Sequence, residues 1–413
     1  MSRVVVIGAG LAGWVAANRL ADNGHRVVLL HKGLGGLQLG QGSIDVYGYA
    51  PERVTNPIAA VSAAAASHPY AGIGPKAVME AVAYLKELLP GLLVGDPEAN
   101  YQLPTAVGAI RPTCLVQPSM VAGQVRDGAS WVIVGLRRMK DFSADLIAAN
   151  LSRTELPDGG RLSARAVTID VAARESEIDS TGLTYARAFD DPAFRKRFCA
   201  TLAPQLKPGE TVGLPAVLGL DDPQAWSAVA ADLGHEVFEI PLPPPSILGM
   251  RLDQALRARA TSVGVRVVSG VRTVAFDPKD GQVRSVSIAT EPAPRAFTAD
   301  AFVLATGGFE SGALELDSYG NVHETLFNLP VTSVDGPLLH GDYWGPEQPL
   351  FSIGVAVNAA MQPVDAAGSV VYANLHAAGG ILAGTPGWRD KTGDGVAAAS
   401  ALVAADAIGK ERP

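Results

Sequence analysis

The chain has 413 residues, 48% of them hydrophobic and 18% charged, and a formal net charge of −8. That length allows two or three domains around a sizeable core, and the acidic balance excludes the basic footprint of a nucleic-acid-binding protein. Its two cysteines, Cys114 and Cys199, are too few for an iron–sulfur cluster, which takes about four thiolates, and form no disulfide framework.

"RVVVIGAG" predicts a short buried parallel strand and "LAGWVAANRLADNG" a helix stopped by Gly24. "HRVVLL" is then a second strand, which completes a βαβ opening. The turn between the first strand and the helix reads Gly8-x-Gly10-x-x-Gly13. The first glycine permits the tight turn, the second lets the backbone approach a phosphate, and the third lets helix pack on strand. The helix then opens with Leu11 and Ala12, whose free N–H groups and partial positive charge face that phosphate. These glycines also interrupt the apolar stretch after Arg3, which favours a strand–turn–helix over a secretory leader.

The second strand ends in His31 and Lys32. A nucleotide-binding fold normally places Asp or Glu there to hold a ribose 2′-hydroxyl. Three ligands fit a strand end without that acid: NADP, its 2′-phosphate on Lys32; FAD, its ribose held another way; or FMN, which has no adenosine ribose. A glycine-rich loop, "KGLGGLQLGQGSIDVYG", follows with little periodicity. It lies where ligands sit in such sheets, so Gly42 and Ser43 are candidate cofactor contacts.

From Asn56 onward "NPIAAVSAAAASHPY" and "GPKAVMEAVAYLKELLPG" read as helices. "SWVIVGL", "RLSARAVTID" and "TVGLPAVLGL" read as strands, separated by the helices "FSADLIAANLSR" and "DPAFRKRFCATLAPQL". "DGG" at 158–160 marks a turn. After "PLPPPSILGMRL" a helix and a strand return, followed by three segments spaced by "PKDG" and "EPAP" that predict an antiparallel meander. The expected fold class is α/β: a Rossmann-like FAD/NAD(P)-binding fold with a meander, in residues 1–65 and 235–413, carrying an inserted α+β domain in residues 66–234.

"FVLATGGF" predicts a buried strand whose end, Thr306, Gly307 and Gly308, brings backbone close to a ligand. Downstream of the glycine turn and a meander, this is the arrangement of flavoproteins. "GGILAG", with Gly380, and Gly393-Asp394-Gly395 precede an Ala-rich helix, and Asp394 is either a ribityl partner or the helix cap. Arg111, Arg137, Arg138, Lys140 and Arg251 form a basic set, of which Arg251, behind a proline-rich segment, is the candidate for holding a substrate phosphate. Candidate bases are His376, His323 and Glu324. The histidines show no metal-ligand spacing.

The segments "IGAGLAG", "HKG", "QGSIDVYG", "SHPYAGIGP", "LPPPSILGMRL", "FVLATGGFESG" and "FSIGVAVNAAMQPVD" spread over nearly the whole chain. Together they resemble the flavin-binding B subunit of the anaerobic glycerol-3-phosphate dehydrogenases. The resemblance implies a three-subunit complex that oxidises sn-glycerol 3-phosphate to dihydroxyacetone phosphate and passes electrons to the quinone pool, with fumarate or nitrate as terminal acceptor. It implies FMN on this chain, with FAD as the alternative. It also implies an FAD-bearing A subunit, and an iron–sulfur C subunit that docks the complex on the membrane, placing this chain in the cytoplasm at the inner face. Two other functions fit the residues: a non-catalytic flavin electron relay, and a fumarate-reductase-type oxidoreductase acting on another small molecule.

Overall fold

A computed structural model describes residues 1–156, 159–342, 345–385 and 387–410. The chain forms two compact units, one from residues 1–36, 45–90 and 255 onward, the other from residues 37–44 and 91–254.

The first unit is built on a five-stranded parallel sheet in the order Arg266–Ser269, Arg26–His31, Arg3–Ile7, Ala301–Leu304, Leu375–Ala377. Numbered along the chain, that order is 3-2-1-4-5, the winding of a dinucleotide fold. The winding reverses between Arg3–Ile7 and Ala301–Leu304, and ligands of such sheets sit at the carboxyl ends there. Val4, Val5 and Val6 are buried on both faces of the central strand, as an apolar run in a covered parallel sheet must be. The helix Leu11–Asp22 follows and ends where Gly24 takes φ +81° and donates its N–H to Ala21. The expected meander is present as Thr273–Lys279, Gln282–Ile288 and Arg295–Thr298. The C-terminal helix Gly393–Lys410 packs against Leu11–Asp22 and against Pro69–Leu88.

The second unit carries its own parallel sheet, in the order Val237–Ile240, Thr211–Pro215, Ser130–Leu136, Ser163–Ile169. The helices Ala144–Arg153, Gly182–Phe189, Pro192–Leu202 and Ala225–Leu233 alternate with these strands. Trp131, Ile133, Val212 and Phe238 lie in its core. Helices that alternate with parallel strands make an α/β layer, and beside it the unit holds the antiparallel pairs Tyr101–Pro104 with Ile110–Thr113 and Val94–Gly95 with Leu115–Val116. The limits expected at 65/66 and 234/235 differ from those of the units. Pro69–Leu88 belongs to the first unit. Val237–Ile240 hydrogen-bonds to Thr211–Pro215, so the second unit continues past residue 234. Of the expected 158–160 turn, Gly159 takes φ +80° and Leu156 donates its N–H to Gly160 at 2.9 Å. Asp158 lies outside the described residues.

Candidate cofactor site

The reversal point of the first sheet is assembled from glycine turns. Gly8 has φ +114°, and a Cβ there would lie 2.1 Å from the Ala305 carbonyl oxygen of the next strand. A Cβ on Gly13 would lie 2.0 Å from the Gly8 carbonyl oxygen. The protein's own packing therefore demands both glycines. Gly10 is different. Its backbone is ordinary, with φ −79° and ψ −174°, and a Cβ there would meet nothing within 4 Å. Among the described residues nothing requires Gly10, whereas a phosphate approaching the main chain would. Gly10 is also the N-cap of Leu11–Asp22, and no side chain caps that helix. The first-turn N–H groups of Leu11, Ala12 and Gly13 therefore lack a side-chain cap among the described residues.

Opposite this turn, the strand Ala301–Leu304 runs into Thr306, Gly307 and Gly308. A Cβ on Gly308 would approach the Gly380 carbonyl oxygen to 2.9 Å. One on Gly379 would approach Cβ of Ala12 to the same distance. The structure thus brings Gly8, Gly10, Leu11, Ala12, Gly13, Thr306, Gly307, Gly308 and Gly380 to one place. The Thr306 Oγ1 is buried with no hydrogen-bond partner among the described residues. An orphaned hydroxyl costs about 1–3 kcal/mol, which a hydroxyl or phosphate oxygen of a bound cofactor would offset. The open side of Gly10, the uncapped helix and this orphan fit a flavin phosphate and its ribityl chain.

His31 ends the second strand and is only 5% exposed. Its Nδ1 lies 2.7 Å from the Gly33 carbonyl oxygen and its Nε2 2.8 Å from Ser269 Oγ. Lys32 is exposed, and its Nζ donates to the Ser311 carbonyl at 3.3 Å. Gly35, which sequence reasoning left out of the site, packs its backbone on Ala9 and Gly10, with room for no side chain. Its place in the "GLGG" run was the available signal.

Other candidates have other partners. Asp394 Oδ2 accepts the Asp45 N–H at 3.2 Å, and the Gly395 N–H returns to the Asp45 carbonyl at 2.9 Å, so this carboxylate ties "SIDVYG" to the last helix. Gly42 and Ser43 belong to the second unit. There Gly42 takes φ +69° against Leu248, and its carbonyl accepts from Gln117 Nε2 at 3.1 Å.

Arg251 does not present a free fork for a substrate phosphate. Its Nη1 donates to Glu239 Oε2 at 2.6 Å and its Nη2 to Glu239 Oε1 at 3.1 Å. The Gly219 carbonyl accepts from its Nε at 2.8 Å and also from Nη2. The Glu239 side chain is fully buried, so Arg251 is its neutralising partner. Arg138 and Lys140 pair with Asp170 and Asp179 at 2.7 and 2.6 Å.

The base candidates are structural as well. His376 is fully buried in the strand Leu375–Ala377, with Nδ1 2.8 Å from the Ala360 carbonyl oxygen. Glu324 is buried and accepts N–H groups from Leu326, Phe327 and Leu329. Burial nevertheless pushes its carboxyl above the ordinary range. His323 is exposed and pairs with Asp317 at 3.1 Å. Sequence reasoning assigned no role to His68, the N-cap of Pro69–Leu88. Its ring lies against Tyr47 and Tyr70, its Nδ1 accepts the Tyr70 N–H at 3.1 Å, and burial pushes its imidazole down to about 4.

Residues 3–396 match the family described as FAD binding domain. A Halobacterium salinarum protein, named as a probable B subunit of anaerobic glycerol-3-phosphate dehydrogenase, is 32% identical over 98% of this chain and 97% of its own. The chain belongs to that B-subunit family. Proteins named as B subunits of anaerobic glycerol-3-phosphate dehydrogenase from Pectobacterium atrosepticum and Yersinia pestis bv. Antiqua are 30% and 29% identical. These alignments cover 99% and 98% of this chain and 98% and 97% of the relatives. Family and geometry agree on a flavin-binding chain. Among the described residues no cluster of His, Cys, Asp or Glu is fit to hold a metal, and no helix is long and apolar enough to cross a membrane.

Proposed function

We propose that this chain is the FMN-binding subunit of a complex that oxidises sn-glycerol 3-phosphate to dihydroxyacetone phosphate. The observation that carries the reading is the end-to-end match to B-subunit relatives together with the glycine cradle at the sheet reversal. In this reading the substrate alcohol at C2 loses two electrons and two protons. Bound flavin supplies the two-electron acceptor that amino-acid side chains lack. The first-turn N–H groups at Leu11–Gly13 hold its phosphate, and the Thr306 hydroxyl hydrogen-bonds its polar chain. The partners are an FAD-bearing A subunit and an iron–sulfur C subunit through which electrons reach a quinone, with the chain at the inner face of the cell membrane. His31 favours FMN over FAD, since the strand end carries no carboxylate for an adenosine ribose.

One observation favours assigning the relay role to this chain within that complex. Arg251, His376 and Glu324 are each engaged by internal partners. The test is anaerobic addition of sn-glycerol 3-phosphate to the flavin-loaded chain, alone and with its co-expressed partners. Bleaching of the visible flavin band only with the partners is the expected result. Bleaching of the chain alone assigns the substrate site here. No bleaching in the assembled complex would overturn the reading.

A further inference from the structure

We propose that His31 and Lys32 select the cofactor, His31 by withdrawing the acceptor an adenosine ribose needs and Lys32 by favouring a terminal phosphate monoester. The inference rests on the FMN reading above and names the residues behind it.

His31 stands at the carboxyl end of the second strand, where this winding places the ribose-binding acid. Its two ring nitrogens are both committed. A carbonyl oxygen only accepts, so the nitrogen facing Gly33 carries the hydrogen and donates it. The other nitrogen is engaged by the hydroxyl of Ser269, which ends the adjacent strand Arg266–Ser269, as acceptor in the neutral ring and as donor in the imidazolium. The Val271 N–H donates to the His31 carbonyl at 3.0 Å, which fixes the two strand ends together. No lone pair of the imidazole is left for a ribose diol, whose two O–H groups a carboxylate would accept. Leaving such donors unpaired in a closed site costs affinity.

Lys32 adds an independent constraint. It follows the strand Arg26–His31, whereas its hydrogen-bond partner Ser311 follows the strand Ala301–Leu304. The strand Arg3–Ile7 lies between those two in the sheet. The Lys32 side chain therefore spans the glycine turn of the central strand, from one neighbour to the other. A dinucleotide runs from that turn toward the end of the second strand, the path this side chain crosses. A mononucleotide stops at the turn. Its phosphate monoester carries between about one and a half and two negative charges at neutral pH, more than each phosphate of a diphosphate bridge. The ammonium has three donors and gives one to Ser311, so two remain for that phosphate.

The test is a titration of the full chain, stripped of flavin, with FMN and with FAD, followed by quenching of flavin fluorescence. The unaltered chain is expected to bind FMN at least about tenfold tighter than FAD. His31→Glu restores the acid and is expected to lower that preference about tenfold, chiefly by tightening FAD. Lys32→Gln changes an exposed residue that the fold does not need. It is expected to weaken FMN about five-fold, to leave FAD unchanged or tighter, and to flatten the salt dependence of FMN binding. If His31→Glu does not fold, Lys32→Gln decides alone. An FMN-to-FAD ratio that neither folded variant moves overturns the inference while leaving the FMN reading intact. Tighter binding of FAD by the unaltered chain overturns the FMN reading itself.

Discussion

The chain contains two parallel sheets, each with a point where the winding reverses, and the two points are finished in opposite ways. In the first unit the helix after the glycine turn has no side-chain cap, Gly10 has open space beside it, and the Thr306 hydroxyl has no partner among the described residues. In the second unit the loop after Thr211–Pro215 offers a comparable row of N–H groups, but the protein's own acids take them. Asp190 Oδ1 accepts from Leu220, Asp221 and Asp222 at 2.9–3.0 Å, and Glu239 Oε1 accepts from Leu218 at 2.7 Å. Arg251 then neutralises Glu239. Topology alone therefore does not make a binding site. Donors left without an internal acceptor do.

The contrast is open to its severest disruption at Arg251. Arg251→Ala strands the buried Glu239 and is expected to destabilise the protein by about 3–5 kcal/mol, read in urea unfolding. The flavin content of the molecules that remain folded should stay the same. Loss of flavin at unchanged stability would instead make Arg251 a ligand contact.

Acid offers a way to loosen the first unit through His68. Its folded-state value of about 4 lies below the ordinary 6.5. The unfolded chain therefore binds the proton first, and stability falls as pH drops from about 6.5 to 4. The full loss is about 3 kcal/mol. His68→Gln should remove that part of the slope, which the difference between the two proteins' unfolding free energies across this window measures. Parallel curves would show that His68 is already protonated in the folded state.

Smaller effects separate ligand contacts from packing. Thr306→Val deletes the orphaned hydroxyl. The flavin-free protein should be as stable as before or slightly more so, while flavin affinity falls about five- to ten-fold, one hydrogen bond of about 1 kcal/mol. Gly10→Ala should leave the flavin-free fold within about 1 kcal/mol of the parent, the stiffer unfolded chain being offset by a poorer N-cap. Its methyl group would stand where the phosphate approaches, so flavin retention should drop. A Gly10→Ala protein that keeps its flavin would remove the phosphate from this turn.

How much was legible in the sequence follows from the range of the forces involved. Gly8 and Gly13 answer to contacts within one turn and with the neighbouring strand, and the motif spacing records that need. The same holds for Thr306–Gly308 at the end of an apolar run. The partners of Arg251, His376 and Glu324 could not be read. Arg251 looked available because its neutralising acid, Glu239, sits across a proline-rich turn. The strand Leu375–Ala377 has three residues, too few to show a period, so the burial of His376 was invisible. Val237–Ile240, four residues before a run of prolines, is too short to show a period, and only its pairing with Thr211–Pro215 places it at a sheet edge. The Lys32–Ser311 hydrogen bond joins residues 279 positions apart, and only the strand order makes it a feature of the site.

The most direct measurement is to release the cofactor from the purified chain by heat and identify it by chromatography, with its stoichiometry. The expected result is roughly one FMN per chain, as a single phosphate turn holds one nucleotide, and loss of that FMN from Gly10→Ala. FAD in its place would contradict the reading of His31, and a chain that binds no flavin under any loading condition would contradict the site itself.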